Sequence, residues 1–363
     1  MKKSLIALAV LAASGAAMAQ SSVTLYGIAD AGVTYLNGGS NWSGVTSGNN
    51  KTSRLGFRGV EDLGGGLKAN FVLEGGINLD TGDGKSGGAT DNGFQFKRQS
   101  TVGLAGNFGE VRLGRELTAA YNATARYDVF GSVGLAQSRL WADGGVVDAN
   151  ANANANANAK AVTTNQRISN AVTYVSPSFS GFKVGVNYGF GEVAGGNSKS
   201  GYMGAGLMYD NGPLSLGLGL ERLKSGANSV ATSDIDAWSL GGSYDFGVAK
   251  VLAGYRESKV DVAAGENKRL GYYVAATAPV GPGLVRASYN RYENKLAGFK
   301  EKADQFGLGY VYSLSKRTSV YGTYAYIKNK DGANLYTLGS SSQGSLKTNG
   351  SQQGVQVGIT HAF

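Results

Sequence analysis

Two-residue alternation runs through nearly the whole chain, and a helical period is hard to find. It is clearest at the end. Val355, Val357, Ile359, His361 and Phe363 share one face, while Gln356, Gly358, Thr360 and Ala362 share the other. Phe306, Leu308, Tyr310 and Tyr312 alternate in the same way with Gln305, Gly307, Gly309 and Val311. Near the start Val23, Leu25, Ala29, Ala31 and Val33 oppose Thr24, Tyr26, Asp30 and Thr34. Successive side chains of a strand point to opposite faces, so each strand presents one apolar face and one small or polar face. A soluble sandwich alternates too, with its apolar face inside.

The connections separate these readings. Tight turns are expected near Asp62 to Gly66, Gly106 to Phe108, Ser176 to Ser180, Asn211-Gly212, Phe246-Gly247, Val280 to Pro282 and Leu314 to Lys316. Between them come long polar loops: Gly38 to Lys51, Asp80 to Asn92, Glu116 to Gln166 and Gly191 to Ser200. Four more follow at Lys224 to Ser233, Glu257 to Asn267, Asn294 to Lys302 and Asn329 to Ser351. Seven turns and eight loops make fifteen connections, hence sixteen strands with both ends on the turn side. Short turns at one end and long loops at the other mark an all-β, antiparallel transmembrane barrel. Pro177, Pro213 and Pro282 sit at or beside the turns, where a missing ladder donor is tolerated.

Lys2 and Lys3, the apolar run Leu5 to Ala13 and the small residues of Ala17-Met18-Ala19 form a secretory signal pattern. Cleavage after Ala19 makes residues 1–19 a signal peptide and residues 20–363 the barrel domain. No segment beyond the signal has the ~20 apolar residues of a membrane helix. A closed barrel spans a membrane without one, because every backbone group pairs between strands. Cysteine is absent, so no disulfide framework supports the fold. The net charge of +9 becomes +7 without Lys2 and Lys3. In an exported protein that excess points to lipopolysaccharide phosphates or anions in transit rather than to nucleic acid.

The third loop is the outlier, at about fifty residues where connections typically run four to six. Within this segment, residues 116–166, Ala149 to Asn158 is a low-complexity tract of five Ala-Asn pairs. The tract reads as a solvated excursion that carries no site.

Several strings resemble the Gram-negative porin family of Burkholderia, Comamonas and Neisseria relatives. SSVTLYGIAD at Ser21 to Asp30 and SRLGFRGVEDLGGGL at Ser53 to Leu67 are like its first strands. Phe96 to Leu104, Gly109 to Arg115 and RISNAVTYVSPSFSGF at Arg167 to Phe182 continue the likeness. SLSKRT at Ser313 to Thr318 and the closing Gly358 to Phe363 complete it. The resemblance implies a homotrimer of sixteen-stranded barrels, each with its third loop folded into the lumen as a constriction. It also implies that Phe363 belongs to a C-terminal signal read by the barrel-assembly machinery. The chain departs from the family in the third loop: Tyr127-Asp128-Val129-Phe130-Gly131 stands where relatives often have Asp-Pro-Phe-Gly.

Alternation places Arg54 and Arg58 opposite Leu55 and Phe57, facing water, and puts Lys68, Asn70, Glu74 and Asp30 on lumen faces. Arg167 opposes Ile168, Val172 and Tyr174. The resemblance suggests that Arg54, Arg98 and Arg167 line the constriction with Glu74 nearby. Arg98 conflicts with strict alternation, which puts Val102 and Leu104 on its face; a bulge is one way to resolve this. Glu116, Arg126, Asp128, Arg139 and Asp143 are the charged residues of the third loop, each able to line the pore or to pin the loop. Asp80, Asp83 and Asp91 have oxygen chemistry suited to calcium but lack a calcium-loop spacing, so a solvated loop is the better reading.

The expected function is passive diffusion of ions and small hydrophilic solutes, with a preference for anions. A substrate-specific channel stays open as an alternative; Tyr26 is a possible member of an aromatic track, but no continuous ladder is visible. A barrel enzyme is disfavoured, since such enzymes generally need a histidine base and His361 lies at the wrong end. No cofactor and no metal site are expected.

Overall fold

The computed structural model describes residues 22–84, 93–142, 166–191, 201–224, 234–262, 265–296, 299–333, 336–339 and 346–363. The expected signal peptide, the Ala-Asn tract, Asp91 and Asp143 lie outside them. Strands β1 (Ser22–Asn37), β2 (Trp42–Ser47), β3 (Arg54–Gly64), β4 (Leu67–Gly76), β5 (Gln99–Gly106) and β6 (Gly109–Leu117) precede the longest connection. After it come β7 (Arg167–Val175), β8 (Phe182–Gly189), β9 (Tyr202–Asn211), β10 (Leu214–Leu223) and β11 (Ile235–Asp245). β12 (Lys250–Val262), β13 (Gly265–Val280), β14 (Gly283–Leu296), β15 (Phe299–Ser313), β16 (Thr318–Lys330) and β17 (Ser351–Ala362) follow.

Every pairing is antiparallel, and β17 returns to β1 in a register running from Ile28 opposite Ala362 to Asn37 opposite Gln353. The barrel is closed. At the seam the Gly27 N–H donates to the Phe363 carbonyl at 3.0 Å, and the Phe363 N–H donates back at 3.1 Å. The Phe363 ring lies over Gly27, where a Cβ would meet it.

Seventeen strands occupy sixteen positions, because β2 and β3 share one edge of β1. β2 pairs with Ala31 to Leu36, and β3 pairs with Ser22 to Ile28. Residues 48–53 leave the ladder between them. This corrects the first expected loop, Gly38 to Lys51: the chain turns at once after Asn37 and resumes pairing at Trp42. Asp30 holds the excursion, its carboxylate accepting from the backbone N–H groups of Asn49 at 2.7 Å and Lys51 at 3.0 Å. Two other expected loops, at Glu257 to Asn267 and Asn294 to Lys302, are instead long ribbons, since β12 to β15 extend well into them. The seven tight turns fall where expected.

The outward face is the apolar one. Val23, Val33, Val102, Leu240, Val274 and Val357 are all among the most exposed hydrophobics. Aromatics mark both edges of this band: Phe108, Phe179 and Phe246 on the turn side, Phe190, Trp238 and Tyr272 on the loop side. The opposite, inward face carries Thr, Asn, Gln and many glycines.

The described part of the third connection, Thr118 to Ala142, packs against that inward face. Thr118 caps helix α1 (Ala119–Thr124) by accepting from the Tyr121 N–H at 3.2 Å. A short helical turn, Ala125–Tyr127, and α2 (Arg139–Ala142) follow. Glycines make room for the loop. A Cβ at Gly206 or Gly217 would strike the carbonyls of Ala119 and Ala123; at Gly241 it would strike the Tyr127 ring. Tyr127, Phe130, Leu135, Leu140 and Trp141 are buried, a gain of about 1.5–3 kcal/mol each.

Candidate functional site

Tyr26, Arg54 and Glu74 come together because β1, β3 and β4 are neighbours whose registers align them: Gly56 opposes both Tyr26 and Glu74. The Tyr26 hydroxyl donates to Glu74 Oε2 at 3.1 Å. Arg54 NH1 lies 3.7 Å from Glu74 Oε1, and Arg98 Nε donates to the same oxygen at 2.7 Å. Arg167 joins through its Nε, which donates to the Arg98 carbonyl at 2.9 Å. Two guanidinium groups thus share one carboxylate, and the third is tied to the backbone of Arg98 beside them. Arg58 stands apart, exposed, with its guanidinium 5.3 Å from the Tyr26 ring centre.

Two local irregularities lie beside this cluster. Arg98 requires no bulge. β5 begins only at Gln99, and the backbone bends before it, so Arg98 escapes the parity of Val102 and Leu104. The bulge is on β7, where Ile168 opposes Glu116 but Ala171 opposes Gly114. Asn170 absorbs the extra residue with a φ of 53°, a left-handed conformation that asparagine tolerates. Ile168 is therefore inward and buried against Ala171 and Tyr202, not on the face of Val172 and Tyr174 as alternation had it.

Two expected pore-lining acids are corrected. Asp30 is fully buried: besides the 48–53 excursion, it accepts from the hydroxyls of Tyr321 at 3.0 Å and Thr360 at 2.5 Å. Asp128 is also buried and accepts from the N–H groups of Phe130, Ser132 and Ser138, each at 2.9 Å. A short acid beside consecutive free backbone donors satisfies them first, and its charge is spent on the loop.

The other loop charges are pins as well. Arg139 donates to the carbonyls of Thr337 and Gly339 and Arg126 pairs with Asp210, whereas Glu116, expected in the loop, lies in β6 and pairs with Arg112 of the same strand. Arg112 also pairs with Glu110 at 2.6 Å, and its inward position could have been read from its parity with Glu110. Arg286 was missed too. It is buried beneath the loop, 4.7 Å from the Phe130 ring centre, and donates to the Val129 carbonyl. Asp83 accepts from Asn78 and Thr81, which hold its carboxyl below the usual range. Among the described residues no group of acids or histidines is arranged to hold a metal. His361 lies at the turn side, its Nδ1 2.9 Å from the Thr318 hydroxyl.

The family model for the Gram-negative porins matches residues 5–332. The chain belongs to the Gram-negative porin family. Outer membrane porin protein 32 of Delftia acidovorans is 46% identical across the full length of both chains. Major outer membrane protein P.IB of Neisseria gonorrhoeae is 30% identical over 92% of this chain and 95% of its own. An anion-selective porin from Comamonas acidovorans, known from its solved structure, is 42% identical and superposes with a TM-score of 0.79. That match covers 95% of this chain and all of the other. The porin is thus an integral outer-membrane protein and a passive channel, not an enzyme.

Proposed function

We propose that this porin is an anion-preferring diffusion pore whose lumen is narrowed by Thr118 to Ala142. The selecting field comes from Arg54, Arg98 and Arg167, with Arg58 following along the wall. One observation carries the reading: Arg54 and Arg98 pair with Glu74 while Arg167 beside them bonds only to the Arg98 carbonyl, so among the described residues the cluster keeps a net positive charge. Asp30 and Asp128 are sequestered by hydrogen bonds within the protein and leave that excess uncompensated. Fixed charge inside a narrow wall ranks solutes by sign. The similar Comamonas protein is described as anion-selective, which agrees. In a salt gradient across a planar bilayer, the reversal potential is expected to have the sign of an anion-permeable pore. A cation-selective sign would sink the assignment.

The functional unit is a homotrimer in this reading. Outward positions of β17, β1, β2 and β3, such as Val355, Val357, Val33, Tyr35, Val45 and Phe57, are apolar along the middle of the wall, and the acid Glu61 sits near the turn end of β3. From β12 to β15 the loop-side outward positions instead hold Lys259, Lys268, Arg291 and Lys302. A protein neighbour suits the first arc, and lipid headgroups the second. Unboiled protein should migrate as a heat-modifiable oligomer and insert in three equal conductance steps. Single steps from a species of monomer mass would remove the trimer.

Phe363 is read as part of the signal for barrel assembly. Its loss also removes both seam hydrogen bonds with Gly27. The truncated chain is expected to reach the outer membrane at a fraction of the normal level, while any pores formed conduct normally. Normal levels in fractionated membranes would overturn this.

A further inference from the structure

Arg286, Ser288, Asn290 and Tyr292 share the inward face of β14 and are buried beneath the third loop. β14 stands across the barrel from the arginine wall, which β3, β7 and the bend before β5 carry. Arg286 is the charged member of this strip and is only 7% exposed. Its guanidinium lies 4.7 Å from the Phe130 ring centre, and NH1 donates to the Val129 carbonyl at 3.2 Å. Its Nε has no partner among the described residues.

As a pin for the loop this is weak. Burying a guanidinium costs more than one carbonyl bond returns, and a well-packed apolar side chain would hold the loop at less cost. The gain from a cation lies in its surroundings. Asp128 and Asp30 are the carboxylates whose charges act on Arg286, with no direct ion pair to either among the described residues. Asp128 is linked to the same stretch of loop through Tyr273, whose hydroxyl accepts from the Val129 N–H at 2.8 Å and lies 3.5 Å from Asp128 Oδ1. Asp30 accepts from Tyr321, whose hydroxyl lies over Gly358 and Gly32, where a Cβ would meet it.

Hydrogen bonds satisfy the oxygens of both acids but leave their charge in place. Burial holds the Asp128 carboxyl above its ordinary value, and the N–H groups of Ser138, Phe130 and Ser132, together with Arg286, limit that rise. Several backbone N–H donors on one carboxylate strongly favour its ionised form. Asp30 and Asp128 against Arg286 therefore leave one negative charge behind the eyelet; without Arg286 they leave two.

We propose that Arg286 is a selectivity residue that no solute touches. Its charge offsets one of the two acids buried around the third loop and so preserves the anion preference set by the arginine wall. This deepens the anion-preferring reading and rests on it. A unit charge one packed layer away, about 10 Å, changes local ion occupancy about twofold even at the dielectric of bulk water. A low-dielectric wall screens it less.

The test is the reversal potential of reconstituted, intact porin in a salt gradient at pH 8. Arg286→Met should lower the anion-to-cation permeability ratio at least twofold. Asp128→Asn, which keeps one acceptor oxygen, should raise it by a similar factor. The double variant should return to the wild-type ratio, because it again leaves one buried negative charge. Arg286→Lys should keep that ratio whatever its conductance. A residue that merely held the loop would behave otherwise, since Asp128→Asn would then add to the Arg286→Met defect instead of cancelling it. An unchanged ratio in Arg286→Met, no restoration in the double variant, or a ratio in Arg286→Lys as low as in Arg286→Met would each overturn the proposal. If Arg286→Met does not assemble, Asp128→Asn decides alone, and an unchanged ratio there overturns it. All shifts are read against the wild type, whose own sign tests the pore reading separately.

Discussion

Replacing Arg54 and Arg167 by glutamine is expected to bring the reversal potential in a salt gradient close to zero. Two of the three guanidiniums of the cluster are then gone, and the remaining Arg98 is bonded to Glu74 at 2.7 Å. A unit charge about 5 Å from a passing ion contributes about 0.8 kcal/mol even at the dielectric of bulk water, roughly fourfold in local ion occupancy. Two such charges make a change of about tenfold in the anion-to-cation permeability ratio a conservative expectation. Arginine does not titrate between about pH 5 and 8, so the wild-type preference should hold across that range. Outer-loop lysines cannot substitute, because mobile ions screen them within about 8–10 Å. Barrel stability should barely change. An unaltered reversal potential in the double variant would make these arginines ordinary wall residues.

The second large effect is expected at Asp128. Asp128→Ala strips three backbone donors of the third loop, Phe130, Ser132 and Ser138, of their acceptor. Each buried donor left unpaired costs about 1–3 kcal/mol, enough together to release this part of the loop from the wall. Conductance should rise and open-channel noise increase, with the oligomer intact. Asp128→Asn keeps one acceptor oxygen and should change both far less. Equal traces from the alanine variant and the wild type would show that the loop is held without Asp128 by Arg286 and by the Tyr273 and Tyr292 hydroxyls, which accept from the Val129 N–H at 2.8 Å and the Arg139 N–H at 3.0 Å.

The barrel was legible from parity and turn spacing, because a wall with lipid outside and water inside forces one side chain in two to be apolar. The seven turns followed from the same logic. Parity failed where the ladder itself stops or slips. Arg98 reaches Glu74 from a bend outside β5, and the bulge at Asn170 reverses the facing of Ile168. Neither leaves a mark in a strictly alternating pattern. Asp30 was assigned to the pore by its facing and Asp128 by its charge on the third loop, but the partners of neither could be read. Those partners are backbone N–H groups of 48–53 and of the third loop, which carry no sequence signature. The reach of β12 to β15 past the membrane was hidden for a related reason: charged, polar ribbons above the lipid look like loops.

The glycines behind the third loop have a consequence for how such a pore can vary. Gly206, Gly217 and Gly241 never face a solute, yet each lets the loop lie one side chain deeper against the wall than any other residue would. Aperture is thereby adjustable from the rear. A methyl group added at one of these positions pushes the loop into the water column, and charge and bore become separate dials, one on the arginine wall and one hidden beneath the loop.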